Sequence, residues 1–215
     1  MLQHKYIAIE GPIGVGKTSL AEILAKKLNA RLVLEGAMDN PFIHTFYKDM
    51  KAHAFQTQLF FLLSRYKQQQ ELAQNDLFKT GTVSDYIFAK DRLFANLTLD
   101  DNELGLYEQI HTILTGRVLK PDFVIYLQAS TDVLLKRIAL RGRKFESQIN
   151  AEYLAELNQA YNYFFFHYQE TPLMVVNTSE IDFVHRDADL DDLLVHMSKV
   201  SKGTVYYQPV SVRKG

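Results

Sequence analysis

Eight consecutive residues, Gly11-Pro12-Ile13-Gly14-Val15-Gly16-Lys17-Thr18, have the types and spacing to hold a polyphosphate. Glycines let backbone N–H groups approach an anion closely, a lysine reaches the β- and γ-phosphates, and the hydroxyl that follows it ligates Mg²⁺. The loop is a complete Walker A pattern, and Ser19 continues it into an amphipathic stretch, 20–28. The anion therefore also meets the positive end of a helix. ATP and Mg²⁺ are the expected ligands, the metal being shared by Thr18 and Asp85, a carboxylate that directly follows a later apolar run.

Other residues carry the chemistry of a second substrate. Glu35 follows an apolar run, at a strand end where such folds place ligand-binding residues. Tyr47, Gln58 and Arg65 lie 11 and 7 residues apart, within a mostly helical pattern that starts at Asn40-Pro41 and runs to Gln74, with a break expected near 50–53. At about 100° per residue these steps are close to whole turns, so the three could share one face, which either hydrogen-bonds a small planar molecule or is a solvated polar edge on a core helix. Arg137, Arg141 and Arg143 cluster at the end of the helical pattern 131–140, where arginines can clamp a transferring phosphoryl group. A helix C-terminus also favours cations through its dipole, which is the plainer reading of the same cluster.

These residues need a frame. Five apolar runs, 6–9, 32–34, 82–84, 123–127 and 173–176, read as buried strands separated by helical patterns. The expected fold is α/β: a five-stranded parallel sheet with helices on both faces, in a single domain spanning 1–215. Ligands in such sheets bind beyond the carboxyl ends of the strands, where Gly11–Lys17, Glu35, Asp85, Gln128 and Asn177 all fall. The segment 203–215, which alternates Val and Tyr, could add a further strand.

Composition narrows the partners. The 215 residues carry a net charge of −1, which gives no general attraction for nucleic acid or an anionic membrane. There is no cysteine, hence no disulfide framework or thiolate metal site. The apolar run near the start leaves little room for a leader, and no run approaches the length of a membrane span, so the cytoplasm is the expected compartment. Phe164-Phe165-Phe166 with Tyr161, Tyr163 and Tyr168 place aromatic residues all round one helix, which serves either a core or a homodimer interface.

Taken together, these motifs resemble the deoxyribonucleoside kinases of the deoxycytidine, deoxyguanosine and deoxyadenosine kinase type, from Ile9-Glu10-Gly11 to about Asp192. The resemblance implies a P-loop kinase fold with an Arg-rich lid, Arg137-Ile138-Ala139-Leu140-Arg141-Gly142-Arg143 followed by Glu146. It implies that Glu35 takes the proton of a 5′-hydroxyl, that Gln58 rather than Gln56 bonds the base, and that Arg65 and Asp91 pair on its far edge. It further implies that Tyr47 and Glu146 hold the 3′-hydroxyl, and that the arginines stabilise the phosphates. The activity implied is 5′-phosphorylation of a deoxynucleoside by ATP in nucleotide salvage, with deoxyadenosine or deoxyguanosine favoured as acceptor. A nucleoside monophosphate kinase of thymidylate kinase type, and a nucleotide-binding module without catalysis, are the alternatives.

One departure stands out. Relatives mostly carry Glu-Arg-Ser or Asp-Arg-Ser after the third strand, where this chain has Asp85-Tyr86-Ile87. A neutral phenol cannot replace a guanidinium as an electrostatic clamp, and Arg92 is the nearest arginine that could take over.

Overall fold

The computed structural model describes residues 4–74, 81–116, 118–179, 181, 183 and 186–207. Six parallel strands, β1 (Tyr6–Glu10), β2 (Arg31–Val33), β3 (Thr82–Ser84), β4 (Phe123–Gln128), β5 (Leu173–Asn177) and β6 (Thr204–Tyr207), form one sheet in the order β2-β3-β1-β4-β5-β6. The expected five are all present. β6 is the addition: Gly203, at φ 67°, turns the chain so that Thr204–Tyr207 pairs in register with Leu173–Val176. Only Tyr207 of its four residues is buried, so an edge strand like this leaves little apolar signature in the sequence. The rest of the expected tail, 208–215, lies outside the described residues.

β1 is central, paired with β3 on one side and β4 on the other, and all five of its residues are buried. The chain order reverses across β1, which opens the ligand crevice at its carboxyl end. The helices are α1 (Lys17–Leu28), α2 (Ile43–Phe46), α3 (Met50–Gln74), α4 (Asp91–Thr98), α5 (Asp101–Thr115), α6 (Thr131–Arg141), α7 (Ala151–Phe166) and α8 (Asp187–Met197). α1 packs Leu20 and Leu24, both fully buried, onto the sheet; burying each such side chain contributes about 1.5–3 kcal/mol.

The expected helical region 40–74 is two helices. Asn40 Oδ1 accepts from Phe42 N at 3.0 Å in the turn ahead of α2, whose N-cap is Phe42, and the chain breaks at 47–49, just before the expected place. Tyr47 therefore closes α2, whereas Gln58 and Arg65 belong to α3. The shared helical face is thus corrected to two residues of one helix and one of another.

The aromatic helix α7 serves the core with one face. Tyr161 and Phe165 are buried and stack with Tyr126, while Tyr163 and Phe166 stand 70% and 75% exposed.

Candidate active site

The phosphate loop hangs from the end of β1. Gly11 has φ 151°, and a Cβ there would lie 2.4 Å from the carbonyl oxygen of Leu127 on β4, so the loop passes too close to its neighbour for any side chain. Gly16, at φ 106°, turns the chain into α1. The Lys17 ammonium folds back on the loop, donating to Gly11 O at 2.7 Å and Pro12 O at 3.2 Å. It borders the cavity yet is surrounded by protein, and this desolvation lowers its pKa to about 8. A polyphosphate in the cradle would supply the negative charge it lacks.

One cavity, of about 220 Å³, opens beside the loop. Ile13, Gly14, Lys17 and Thr18 line it from the donor side, with Arg141 and Arg143. Glu35, Tyr47, Gln58, Arg65, Asp85 and Glu146 line it from the acceptor side. Residues that spacing alone could not bring together thus meet at one place. Apolar walls come from Ile43, Phe46, Phe61, Phe94, Phe145 and Tyr153, which the sequence reading did not assign. Phe145 stacks on Tyr47, with ring centroids 6.1 Å apart. Burial raises the Tyr47 phenol well above its ordinary pKa, so it stays neutral.

Several expected residues stand behind the wall. Gly11, Pro12, Val15, Gly16 and Ser19 shape the loop and the start of α1 without lining the cavity. Asp91 is 1% exposed at the first turn of α4, where the helix dipole favours a carboxylate, and it pairs with Arg65. Arg137 donates to Thr178 Oγ1 at 2.9 Å, to Thr178 O at 2.6 Å and to Val15 O at 3.3 Å. In these contacts it braces the phosphate loop against the end of β5. Gln58, by contrast, lines the cavity although it is only 3% exposed, and donates to Thr98 Oγ1 at 3.2 Å, while Gln56 turns to His53 and Ala52.

The charges form a dense set. Asp85 accepts from Thr18 Oγ1 at 2.7 Å and from Glu35 N at 2.6 Å, which ties the loop after β2 to the phosphate loop. Arg65 bridges Glu35 and Asp91, and burial lowers its pKa. Its guanidinium lies 4.9 Å from the Phe61 ring centroid. Arg141 makes a bidentate contact with Glu146, Nε to Oε2 at 3.0 Å and a terminal nitrogen to Oε1 at 2.7 Å, with Arg143 3.6 Å away.

Two buried charged residues were not singled out in the sequence. Glu10 ends β1 at 0% exposure and accepts from Gly11 N at 2.9 Å, Ile87 N at 3.0 Å and Tyr161 Oη at 3.1 Å. Its one sequence signal is a carboxylate closing an otherwise apolar strand. Lys90, 2% exposed, donates to Glu35 Oε2 at 2.8 Å and lies 3.6 Å from Glu10; desolvation lowers its pKa to about 8. Arg92 does not take over at Tyr86: its side chain is 56% exposed and pairs with Glu108 at 2.8 Å. Tyr86 itself is fully buried in a small cluster with Val33 and Leu72 and does not line the cavity.

Known proteins resemble this chain in sequence and fold. The family model for Deoxynucleoside kinase matches residues 7–202. A deoxyguanosine kinase of Bacillus subtilis is 37% identical over 200 residues, covering 91% of this chain and 97% of that protein. A deoxyadenosine kinase of Lactobacillus acidophilus is 34% identical over 195 residues, covering 83% and 87%. The solved structure of a deoxyadenosine kinase from M. mycoides with bound dATP superposes with a TM-score of 0.79 at 27% identity, covering 91% of this chain and all of that one. Matches of this kind do not favour the thymidylate kinase alternative, and with a cavity that joins a phosphate loop to an acceptor wall they establish the chain as an enzyme belonging to the deoxynucleoside kinase family.

Proposed function

We propose that this enzyme transfers the γ-phosphoryl group of ATP to the 5′-hydroxyl of a purine deoxynucleoside, deoxyguanosine or deoxyadenosine. The observation that carries this reading is the single cavity lined both by Lys17 and Thr18 and by Glu35, Tyr47, Gln58 and Arg65. The purine preference is supported by the names of relatives, deoxyguanosine kinase and deoxyadenosine kinase.

The residues divide the work as follows. Gln58 and Arg65, the latter backed by Asp91, hydrogen-bond the base, and the aromatic walls exclude water from it. Tyr47 and Glu146 hold the 3′-hydroxyl. The 5′-oxygen forms its bond to the γ-phosphorus as the bond from that phosphorus to the β–γ bridging oxygen breaks and ADP departs. Glu35 accepts the hydroxyl proton, a role that typically contributes about 10²–10⁴-fold. Lys17, Arg141 and Arg143 face the phosphate charge, and Arg137 keeps the loop in place behind them.

Thr18 and Asp85 fit an Mg²⁺ site, because a hydroxyl and a carboxylate face each other at 2.7 Å beside the phosphate cradle. Mg²⁺ commonly takes one or two protein oxygens and completes its shell with phosphate and water, and it would neutralise phosphate charge here.

The reading extends to a cytoplasmic homodimer. No helix among the described residues is long and apolar enough to cross a membrane. The exposed Tyr163 borders a cavity of about 890 Å³ lined by α4, α5 and α7, a face suited to a second copy. Light scattering tests this, and a monomer at micromolar concentration would refute it.

The deciding experiment is an acceptor screen with ATP and Mg²⁺ against the four natural deoxynucleosides, their ribose counterparts and the deoxynucleoside monophosphates. Deoxyguanosine or deoxyadenosine should give the highest kcat/KM. A monophosphate as the preferred acceptor, or ADP release indifferent to any acceptor, would overturn the proposal.

A further inference from the structure

Tyr86 leaves a gap in the electrostatics of the acceptor side. At this position the resemblance calls for a guanidinium, and the phenol found there is packed away with Val33 and Leu72. Glu35 nevertheless has a cation on each carboxylate oxygen: Arg65 on Oε1 and Lys90 on Oε2. The two differ in one respect. Arg65 lines the cavity, whereas Lys90 sits behind it, in the turn Phe88–Lys90 that leads into α4.

We propose that Lys90 is a positioning residue for Glu35, holding Oε2 so that Oε1 is the oxygen that receives the 5′-hydroxyl proton. The inference rests on the reading of Glu35 as the base.

Four observations carry it. A buried ammonium is costly unless it is paired, and Lys90 is 2% exposed. Its near partner is Glu35, at 2.8 Å; Glu10 lies further, at 3.6 Å, and already accepts from Gly11 N, Ile87 N and Tyr161 Oη. Arg65 lines the cavity and is within reach of a bound base, whereas Lys90 lies behind the wall, where its contact with Oε2 does not compete with the acceptor. Finally, Glu35 N donates to Asp85 Oδ1 at 2.6 Å, which fixes the backbone of the same residue. Backbone and one oxygen are held, and the other oxygen is left to react. The positive charge missing at Tyr86 is thus restored from four residues further along the chain.

The test compares Lys90→Gln, Lys90→Arg, Glu35→Gln and the double variant. Lys90→Gln should lower kcat by about 30–100-fold, the size of loss that misplacing a reacting group by an ångström produces, with the KM for ATP changed less than about threefold. Lys90→Arg keeps the charge and should recover kcat to within about fivefold of wild type; a loss as deep as that of Lys90→Gln would overturn the proposal. Because Lys90 acts through Glu35, the double variant should match Glu35→Gln rather than multiply the two losses. A full loss in Glu35→Gln beside unchanged kcat in Lys90→Gln would overturn the Lys90 role alone. Wild-type turnover in Glu35→Gln would overturn the base reading and this inference with it. Multiplying losses in the double variant would also overturn the Lys90 role. A measurement on wild type is independent of how the variants fold. With ¹⁵N-lysine and ¹³C-glutamate labels, the Lys90 Nζ–Glu35 contact should persist on saturation with deoxyguanosine or deoxyadenosine, whichever the acceptor screen favours, and its disappearance would refute the proposal.

Discussion

The donor and acceptor sides of the cavity are built on different plans. The core of the donor side is one run of eight residues backed by β1 and by α1, to which α6 and the turn after it add Arg141 and Arg143. The acceptor side is an assembly of side chains from the loops after β2 and β3, from α2, α3, α4 and α7, and from the segment after α6. Its members are held by one another: Asp85 by Thr18, Glu35 by Arg65 and Lys90, Arg65 by Asp91. A backbone cradle tolerates little change and suits an unvarying ligand, the polyphosphate. A side-chain network can be rewritten one residue at a time and suits a ligand that varies, the acceptor.

Substitutions ranked by effect would break or sharpen this contrast. Lys17→Met removes the one long side chain of the cradle and should lower kcat by about 10³-fold or more, the scale of a phosphate-clamping cation; steady-state kinetics showing near-normal turnover would separate the loop from catalysis. Glu35→Gln should cost about 10²–10⁴-fold in kcat while ATP affinity by calorimetry stays within about threefold, because the change lies wholly on the acceptor side. A joint loss of ATP affinity would show that the two sides are not independent. Gln58→Ala should raise the KM for the deoxynucleoside about tenfold, as expected for a buried hydrogen bond lost, and leave the KM for ATP unchanged. Arg92→Ala should leave kcat within about threefold of wild type, since an exposed pair contributes about 0–1 kcal/mol and this one lies away from the cavity. A large loss there would return Arg92 to the role that Tyr86 leaves open.

The same contrast explains what could be read from the chain. The phosphate loop was legible because its meaning is local: strand, glycines, lysine and helix follow one another without a gap. β1, β4 and β5 were legible because strands buried on both faces are continuous apolar runs. β6 carries one buried residue in four and gave only a weak signal. The break at 47–49 shifts Tyr47 onto another helix without leaving the cavity, so periodicity argued for the right company on the wrong element. Glu35, Gln58 and Arg65 were found by position and spacing, but Lys90 was not. A lysine between apolar residues and an aspartate reads as solvated surface, and only the fold shows it turned inward onto Glu35. Glu10 was hidden in the same way, its three hydrogen-bond donors coming from residues 11, 87 and 161.

The pairing of β1 on both edges has a consequence for motion. Amides of its inner residues are bonded within the middle of a six-stranded sheet, so they should exchange with solvent only when the whole molecule unfolds. Their exchange rate is then a direct readout of global stability. The phosphate cradle starts at the next residue, so its anchor lasts as long as the fold itself. The ion pairs opposite can rearrange while every strand stays in place, and turnover can repeat without loosening the donor's seat.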